Sequence, residues 1–244
     1  MSSLYLDETL DLASVAAGDT VAVTGDEARH AVTVARVRVG ERVSVGDGRG
    51  RIVSGAVTSV EGRRLELEVD GVHDDPVPAP RLTLVQALAK GDRDELAVQA
   101  ATELGVDRIV PWAAGRSVSR WEGPKAEKGR ARWASIVREA VKQSIRSRIP
   151  DVEAVASTRE LPERLRGERV LLLVPGAETP LSAVRPDGRD LALVVGPEGG
   201  MDPTEIERLR EAGGEPVRLG DGVLRTSTAG PAAIAVLSVA LGRW

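Results

Sequence analysis

The chain has no cysteine and no phenylalanine, one tyrosine and two histidines, and each shortage removes something. Without cysteine there is no disulfide, no thiol nucleophile and no thiolate-bound zinc. With aromatics at 2%, the core has to be built from Val, Leu, Ile and Ala. Lysine is scarce too: Lys90, Lys125, Lys128 and Lys142 are the only four among 33 basic residues, so 29 are Arg, the side chain suited to bidentate phosphate contacts. Long apolar runs are also missing. The most apolar stretch, Ala229 to Leu241, is interrupted by Pro231 and Ser238 and is too short to span a bilayer. Met1-Ser-Ser-Leu-Tyr-Leu-Asp7 lacks a basic segment followed by an apolar one, so no signal peptide is expected and a cytoplasmic location is.

Charge is present but unevenly placed. The formal net charge of the 244 residues is −4, yet Arg116 to Arg148 carries ten Lys/Arg against three Glu, and Arg29 to Arg51 carries six Arg against Glu41 and Asp47. Segregation of this kind suits a protein with one polyanion-facing side, and equally a set of solvated helix faces.

Residues 1–72 read as β-rich. Thr20 to Val23 forms a short strand, and Asp26 to Val37 a short helix carrying Arg29, His30 and Arg36. Glu41 to Val45, Arg51 to Val60 and Arg64 to Val69 alternate apolar and polar residues, and Gly46-Asp-Gly-Arg-Gly50 lies between two of them as a hairpin turn. Short strands and tight turns at this spacing suggest a small barrel. The proline-rich residues 73–80 read as a linker. From Arg81 strands alternate with helices, which predicts a mainly parallel sheet covered on both faces. In that region Leu82–Leu88 and Arg108–Trp112 read as strands. Asp92–Leu104 is a helix with Leu96, Val98, Ala100, Ala101 and Leu104 on its apolar side, and Lys125–Ser147 is a basic amphipathic helix. Both histidines fall before this region, which disposes of a Ser-His-Asp triad within it.

The informative stretch is Leu191 to Ala229. Five apolar residues, Leu191 to Val195, run without alternation and suit a parallel strand buried on both faces. Gly196-Pro-Glu-Gly-Gly200 follows, and Asp202-Pro-Thr-Glu205 then offers a cap, a proline at the first helical position and a capping-box partner. A second strand, Pro216 to Leu219, leads into Gly220-Asp-Gly222, after which Ser227 or Thr228 caps the last helix and leaves Pro231 in its first turn. Two glycine loops at the ends of neighbouring parallel strands form the kind of crevice where open α/β sheets bind ligands.

The pairing of Gly196-Pro-Glu-Gly-Gly200 with Leu219-Gly220 and Val223-Leu-Arg-Thr-Ser-Thr-Ala229 resembles the SPOUT class of S-adenosylmethionine-dependent RNA methyltransferases. Within that class it is similar to the bacterial 16S rRNA uridine-N3 methyltransferase family. His30 and Arg36, then Gln86, Lys90-Gly-Asp-Arg93, Gln99 and Thr102-Glu-Leu-Gly-Val106, then Gln143-Ser144, Arg146, Arg148 and Pro150 extend the likeness along most of the chain. Two departures stand out. Lys142 replaces a usual Glu, and Ser3-Leu4-Tyr5 stands where an Arg precedes an aromatic, removing one RNA contact.

The resemblance implies an α/β fold: a PUA-like β-barrel domain (1–72), a linker (73–80) and a SPOUT domain (81–244) whose parallel sheet carries a deep trefoil knot over about 171–244. It implies a homodimer, S-adenosylmethionine as the methyl donor with no metal, and 16S rRNA or the small ribosomal subunit as partner. Val174, Pro175, Val195, Gly196, Glu198, Gly199, Leu219, Gly220, Leu224 and Thr226 would hold the donor. Arg225 is the candidate for stabilising charge on the uracil oxygens or for holding the target phosphate. Arg29, His30, Arg36, Arg93, Arg116, Arg146 and Arg148 are the candidate RNA contacts, and Trp121 is either a base-stacking platform or a packing residue. No residue stands out as the base. A ribose 2′-O enzyme of the same class, and a silent RNA-binding module, remain the alternatives.

Overall fold

A computed structural model describes residues 4–244, which leaves Ser3 outside the described residues. The chain divides into two compact units, one of residues 1–77 with 141–149, the other of residues 78–140 with 150–244.

The first unit contains strands β1 (Leu4–Leu6), β2 (Thr20–Thr24), β3 (Arg42–Gly46), β4 (Arg51–Glu61) and β5 (Arg64–Asp74), with helix α1 (Gly25–Arg29) after β2. They form one sheet in the order β1-β3-β4-β5-β2. β3 and β4 pair antiparallel with Gly46 opposite Ile52, so the glycine run between them is the expected hairpin turn. β5 runs on to Asp74 because His73 and Asp74, expected to begin a linker, pair instead with Ile52 and Arg51. Alternation places Val43, Val45, Val53, Val57, Leu65, Leu67 and Val69 in one core with Tyr5, Leu12 and Ala28. The helix expected over Asp26–Val37 is only partly α: His30–Val34 is a π-helical turn in which Ala35 N–H donates to the His30 carbonyl. It stops at Arg36, whose φ of 56° is left-handed. Arg29, His30 and Arg36 are all exposed there.

The second unit begins with β6 (Leu82–Ala87), α2 (Arg93–Glu103), β7 (Arg108–Ala113) and α3 (Pro124–Gln143), the last turn of which groups with the first unit. It continues with β8 (Asp151–Val152), β9 (Ala156–Ser157), α4 (Leu161–Arg164), β10 (Arg169–Leu173), β11 (Leu191–Val195), α5 (Pro203–Glu211), β12 (Glu215–Val217) and α6 (Thr226–Ala240). The sheet order is β12-β10-β11-β6-β7-β8, with β9 also on β7, and its pairs are parallel. β6 and β11 are buried at every position, as unbroken apolar strands must be when both faces are covered.

Three helix readings need correction. α2 buries Asp94, Ala97, Val98, Ala101 and Thr102, whereas Leu96 is 57% exposed. The face is rotated because the Asp94 carboxylate turns inward to accept the Ala89 N–H at 2.9 Å. α6 begins at Thr226, not after a Ser227 or Thr228 cap: the Arg225 carbonyl is the first acceptor, receiving Thr228 and Ala229 N–H at 2.9 Å each. Pro231 consequently lies inside the helix rather than in its first turn. Trp121 packs edge-on against Trp133 with ring centroids 5.0 Å apart, which accounts for it as a packing residue.

Lys142, at the position of the usual Glu, has a partner in the first unit. Its Nζ lies 3.1 Å from Glu27 Oε1, and both side chains are 14% exposed. A Lys142→Glu substitution sets two carboxylates together in a largely desolvated place and is expected to cost about 3 kcal/mol in urea unfolding. The charge-reversed pair Glu27→Lys/Lys142→Glu should recover most of that loss; equal destabilisation by the double variant would show that the pair does not tie these segments.

Candidate methyl-donor site

Parallel register decides what can meet at the carboxyl edge of the second unit's sheet. β10 pairs with β11 on one side (Leu172 beside Val194) and with β12 on the other (Leu173 beside Val217). The loops that leave these three strands therefore open side by side, and they enclose a cavity of about 580 Å³. Val174 and Pro175 come from the first loop, Val195 to Gly200 from the second, and Leu219, Gly220 and Gly222 to Thr226 from the third. Each residue that the resemblance assigns to the donor is in this lining, and so is Arg225. Of the RNA candidates Arg93 is also there.

Side chains lock the loops. Arg218 donates from Nη1 to the Ala177 carbonyl at 2.7 Å and also to that of Glu178, while its backbone pairs with Thr179 and Leu181. Across the cavity, buried Gln86 donates from Nε2 to Thr226 Oγ1 at 2.9 Å, and that hydroxyl donates to the Gly196 carbonyl at 2.8 Å. This relay ties the end of β6, the start of α6 and the glycine loop together, using a hydroxyl expected to touch the donor. Gly196 itself leaves little room, since a Cβ would stand 3.0 Å from Met201 N and Cγ. α5 begins with the capping box read in the sequence: Asp202 accepts Thr204 N–H at 3.0 Å and Glu205 accepts Asp202 N–H at 3.1 Å. Glu205 further accepts Gly115 N–H at 2.8 Å, so the loop after β7 is held to the same turn.

The charges sort into two kinds. Glu198 accepts Lys90 N–H at 3.0 Å and Arg93 Nη1 at 2.9 Å. Burial works to raise its pKa, but hydrogen bonds from its own N–H and from Lys90, with the Arg93 charge, outweigh it and hold Glu198 below the usual range. Asp94 goes the other way: burial raises its pKa against the hydrogen bonds from Ala89 and Glu95 N–H. Arg116 donates to the Gly199 carbonyl at 3.1 Å and pairs with Asp202 at 3.2 Å. Arg225 differs from these, since its exposed guanidinium has no hydrogen-bond or ion-pair partner among the described residues. It does not tie the loop down.

The remaining RNA candidates lie apart from the cavity lining. Arg29, His30 and Arg36 belong to the first unit, as do Arg146 and Arg148. Arg148 spends donors on the Asp75 carbonyl at 2.6 Å and the Pro76 carbonyl at 3.2 Å, so much of its fork already serves the first unit. Sequence reading assigned no role to Gln86, though a polar residue inside the apolar run Leu82-Thr-Leu-Val-Gln-Ala-Leu88 was the available signal.

The lining fits S-adenosylmethionine. The volume suits a ligand of that size, the walls are mostly apolar with backbone amides exposed at glycines, and an ionised carboxylate stands at the edge. At Gly220 and Gly222 no atom lies within 4 Å of where a Cβ would sit, so the third loop leaves space rather than filling it. Removing the hydroxyl of the relay frees the Gly196 loop: Thr226→Val is expected to weaken S-adenosylmethionine binding about tenfold in calorimetry, close to the loss of one buried hydrogen bond. Thr226→Ser should stay near the parent. Equal affinity for all three would remove the relay from donor binding.

Known proteins resemble this chain along nearly its whole length. The family model described as RNA methyltransferase domain matches residues 76–238, and that described as RNA methyltransferase PUA domain matches residues 23–70. Ribosomal RNA small subunit methyltransferase E of Mycobacterium bovis is 42% identical over 98% of this chain and 92% of its own length. The Bacillus subtilis protein of the same name is 32% identical over 90% of each chain. The Neisseria gonorrhoeae protein of that name, solved bound to S-adenosyl methionine, superposes with a TM-score of 0.87 at 30% identity, covering 98% of both chains. With a matched domain spanning most of its second unit, and relatives this similar along nearly its whole length, the chain belongs to the ribosomal RNA small subunit methyltransferase E family.

Proposed function

We propose that this chain transfers a methyl group from S-adenosylmethionine to N3 of a specific uridine in 16S rRNA. The observation that carries this reading is the convergence of three loops on one cavity with an unengaged arginine in its lining. S-adenosylmethionine supplies a methyl carbon activated by its sulfonium. The chain's own contribution is geometric and electrostatic. The loops after β10, β11 and β12 hold the donor by backbone groups, and Glu198, ionised, offers a negative charge to the cationic end. Uracil N3 gives its proton to solvent as it bonds to the methyl carbon and the methyl–sulfur bond breaks, and the negative charge left by the departing proton is shared with O2 and O4 until the methyl group is in place. Arg225, with every guanidinium donor uncommitted, can meet that charge or the target's phosphate. Positioning of the two reactants accounts for much of the rate.

Arg29, His30 and Arg36, exposed on the first unit, support a docking role for that unit, with Arg93, Arg116 and Arg146 as further RNA contacts and Arg148 as a more structural one. The proposal extends to a trefoil knot over about 171–244, the stretch in which the chain leaves β12 beside β10 and returns in α6 to pack on β11 and β6. It also includes a homodimer. Leu96 on α2 and Val239 on α6 are exposed apolar residues on two helices that pack together, and light scattering should return twice the 25.8 kDa chain mass. A monomer mass at working concentration would remove the dimer. Among the described residues no helix is long and apolar enough to cross a membrane.

Incubation with unmodified small-subunit RNA and donor, followed by nucleoside mapping by mass spectrometry, should yield N3-methyluridine. Ribose-methylated nucleoside as the sole product would move the chain to the 2′-O alternative, and no product with bound donor would favour the silent module. Arg225→Ala should lower single-turnover rate about 100-fold while donor affinity holds; an unchanged rate would take Arg225 out of the chemistry.

A further inference from the structure

We propose that a second cavity of the same unit, at the carboxyl ends of β7 and β9, is a subsite for one backbone phosphodiester of the RNA substrate, held by Arg159 and Arg208. The cavity has a volume of about 430 Å³, and Gly115, Thr158 and Thr204 line it with the two arginines. Its other polar groups are already engaged. Thr158 Oγ1 donates to Glu205 at 2.5 Å and receives Trp112 Nε1 at 3.0 Å. Ser157 Oγ donates to Glu160 at 2.7 Å, and Thr204 Oγ1 to Asp202 at 2.8 Å. Glu205, the one carboxylate in the lining, is buried and accepts from Gly115 N–H, Thr158 and Asp202 N–H.

The two guanidiniums are different. Both are exposed, and neither has a hydrogen-bond or ion-pair partner among the described residues. Most arginines of the second unit are tied to a carboxylate or a carbonyl, so two uncommitted forks lining one cavity need a reason. An apolar guest would leave up to ten N–H donors unmatched, and a cation would be repelled. A phosphate oxygen pair matches the guanidinium fork and relieves the mutual repulsion of two like charges.

Position assigns the phosphate to a polymer. Gly199 and Gly200 line the donor cavity, and Thr204 and Glu205 line the second, so one short segment serves both. Its capping box and the Glu205–Gly115 hydrogen bond make that segment rigid. An RNA strand whose target base meets the donor on the Arg225 side of the first cavity carries further phosphates at regular spacing, and the second cavity takes one of them. This rests on the proposed RNA substrate. Free phosphate would offer the same oxygens, and the test separates the two sources.

The test compares the parent with Arg159→Ala/Arg208→Ala and Arg159→Lys/Arg208→Lys, measuring binding of a small-subunit RNA fragment by fluorescence anisotropy over a range of salt. Binding of S-adenosylmethionine is followed by calorimetry and inorganic phosphate is added as competitor. For the alanine pair the RNA Kd should rise about tenfold near physiological salt, and the slope of log affinity against log salt should fall by about one. The lysine pair should keep the slope but not the full affinity, and donor binding should be unchanged in both, which also certifies the fold. Parent-like RNA affinity and slope in the alanine pair would overturn the proposal. So would a loss confined to inorganic phosphate, which would make the cavity a free-anion site. Because the readout is binding, a parent that binds RNA yet makes no methylated nucleoside would fail the functional reading alone; a parent that binds no RNA would fail both.

Discussion

Parallel pairing of β10 with β11 on one edge and β12 on the other is the constraint on which the site depends. Strand direction alone sends three loops out at one end of the sheet, and neighbouring strands are spaced closely enough, at about 4.8 Å, for their loops to share one cavity. Everything else refines that placement. Gly196 allows Met201 to approach, Arg218 holds the wall that follows β10, and the Gln86–Thr226–Gly196 relay fixes the glycine loop to the first turn of α6. The same relay explains why Arg225 is free. With Thr226 Oγ1 turned inward and the Arg225 carbonyl starting the helix, the Arg225 side chain has no structural duty and projects from an extended residue at the helix entrance.

The abundance of arginine has a structural side that composition alone leaves open. Arg108 gathers Glu153, Glu168 and the Arg164 carbonyl; Arg169 pairs with Glu215; Arg243 reaches the Gly105 and Pro80 carbonyls. A planar fork with five donors joins loops that a single ammonium could not, and a chain with few aromatics gains order in its loops this way. Among the arginines left over, three line cavities: Arg225 the first, Arg159 and Arg208 the second.

Local chemistry made much of this legible. The unbroken apolar run at Leu191–Val195, the capping box at Asp202–Glu205 and the glycine clusters are short-range signals, and each appears in the structure at the expected residues or within two of them. The misreadings came from side-chain partners that residue type alone does not announce, most of them distant in sequence. Leu96 fits a helical apolar stripe, yet the inward turn of Asp94 toward Ala89 rotates α2 and leaves Leu96 outside. Thr228 is a good cap by type, but the cap position falls three residues earlier, at Arg225, and is followed by Thr226, bonded to Gly196 and Gln86, 30 and 140 positions away. Lys142, where the family usually has Glu, is matched to Glu27, 115 positions away. The second cavity had no motif at all, because its residues come from three separate loops and helices.

The most direct test of the account is a crystal structure of the protein grown with S-adenosylmethionine. Donor density is expected in the cavity between Val195–Gly200 and Leu219–Leu224, with adenine against backbone amides and carbonyls of those loops and the methyl group facing open space on the Arg225 side. Donor density at any other place on the molecule, or a cavity left without donor at saturating concentration, would contradict it.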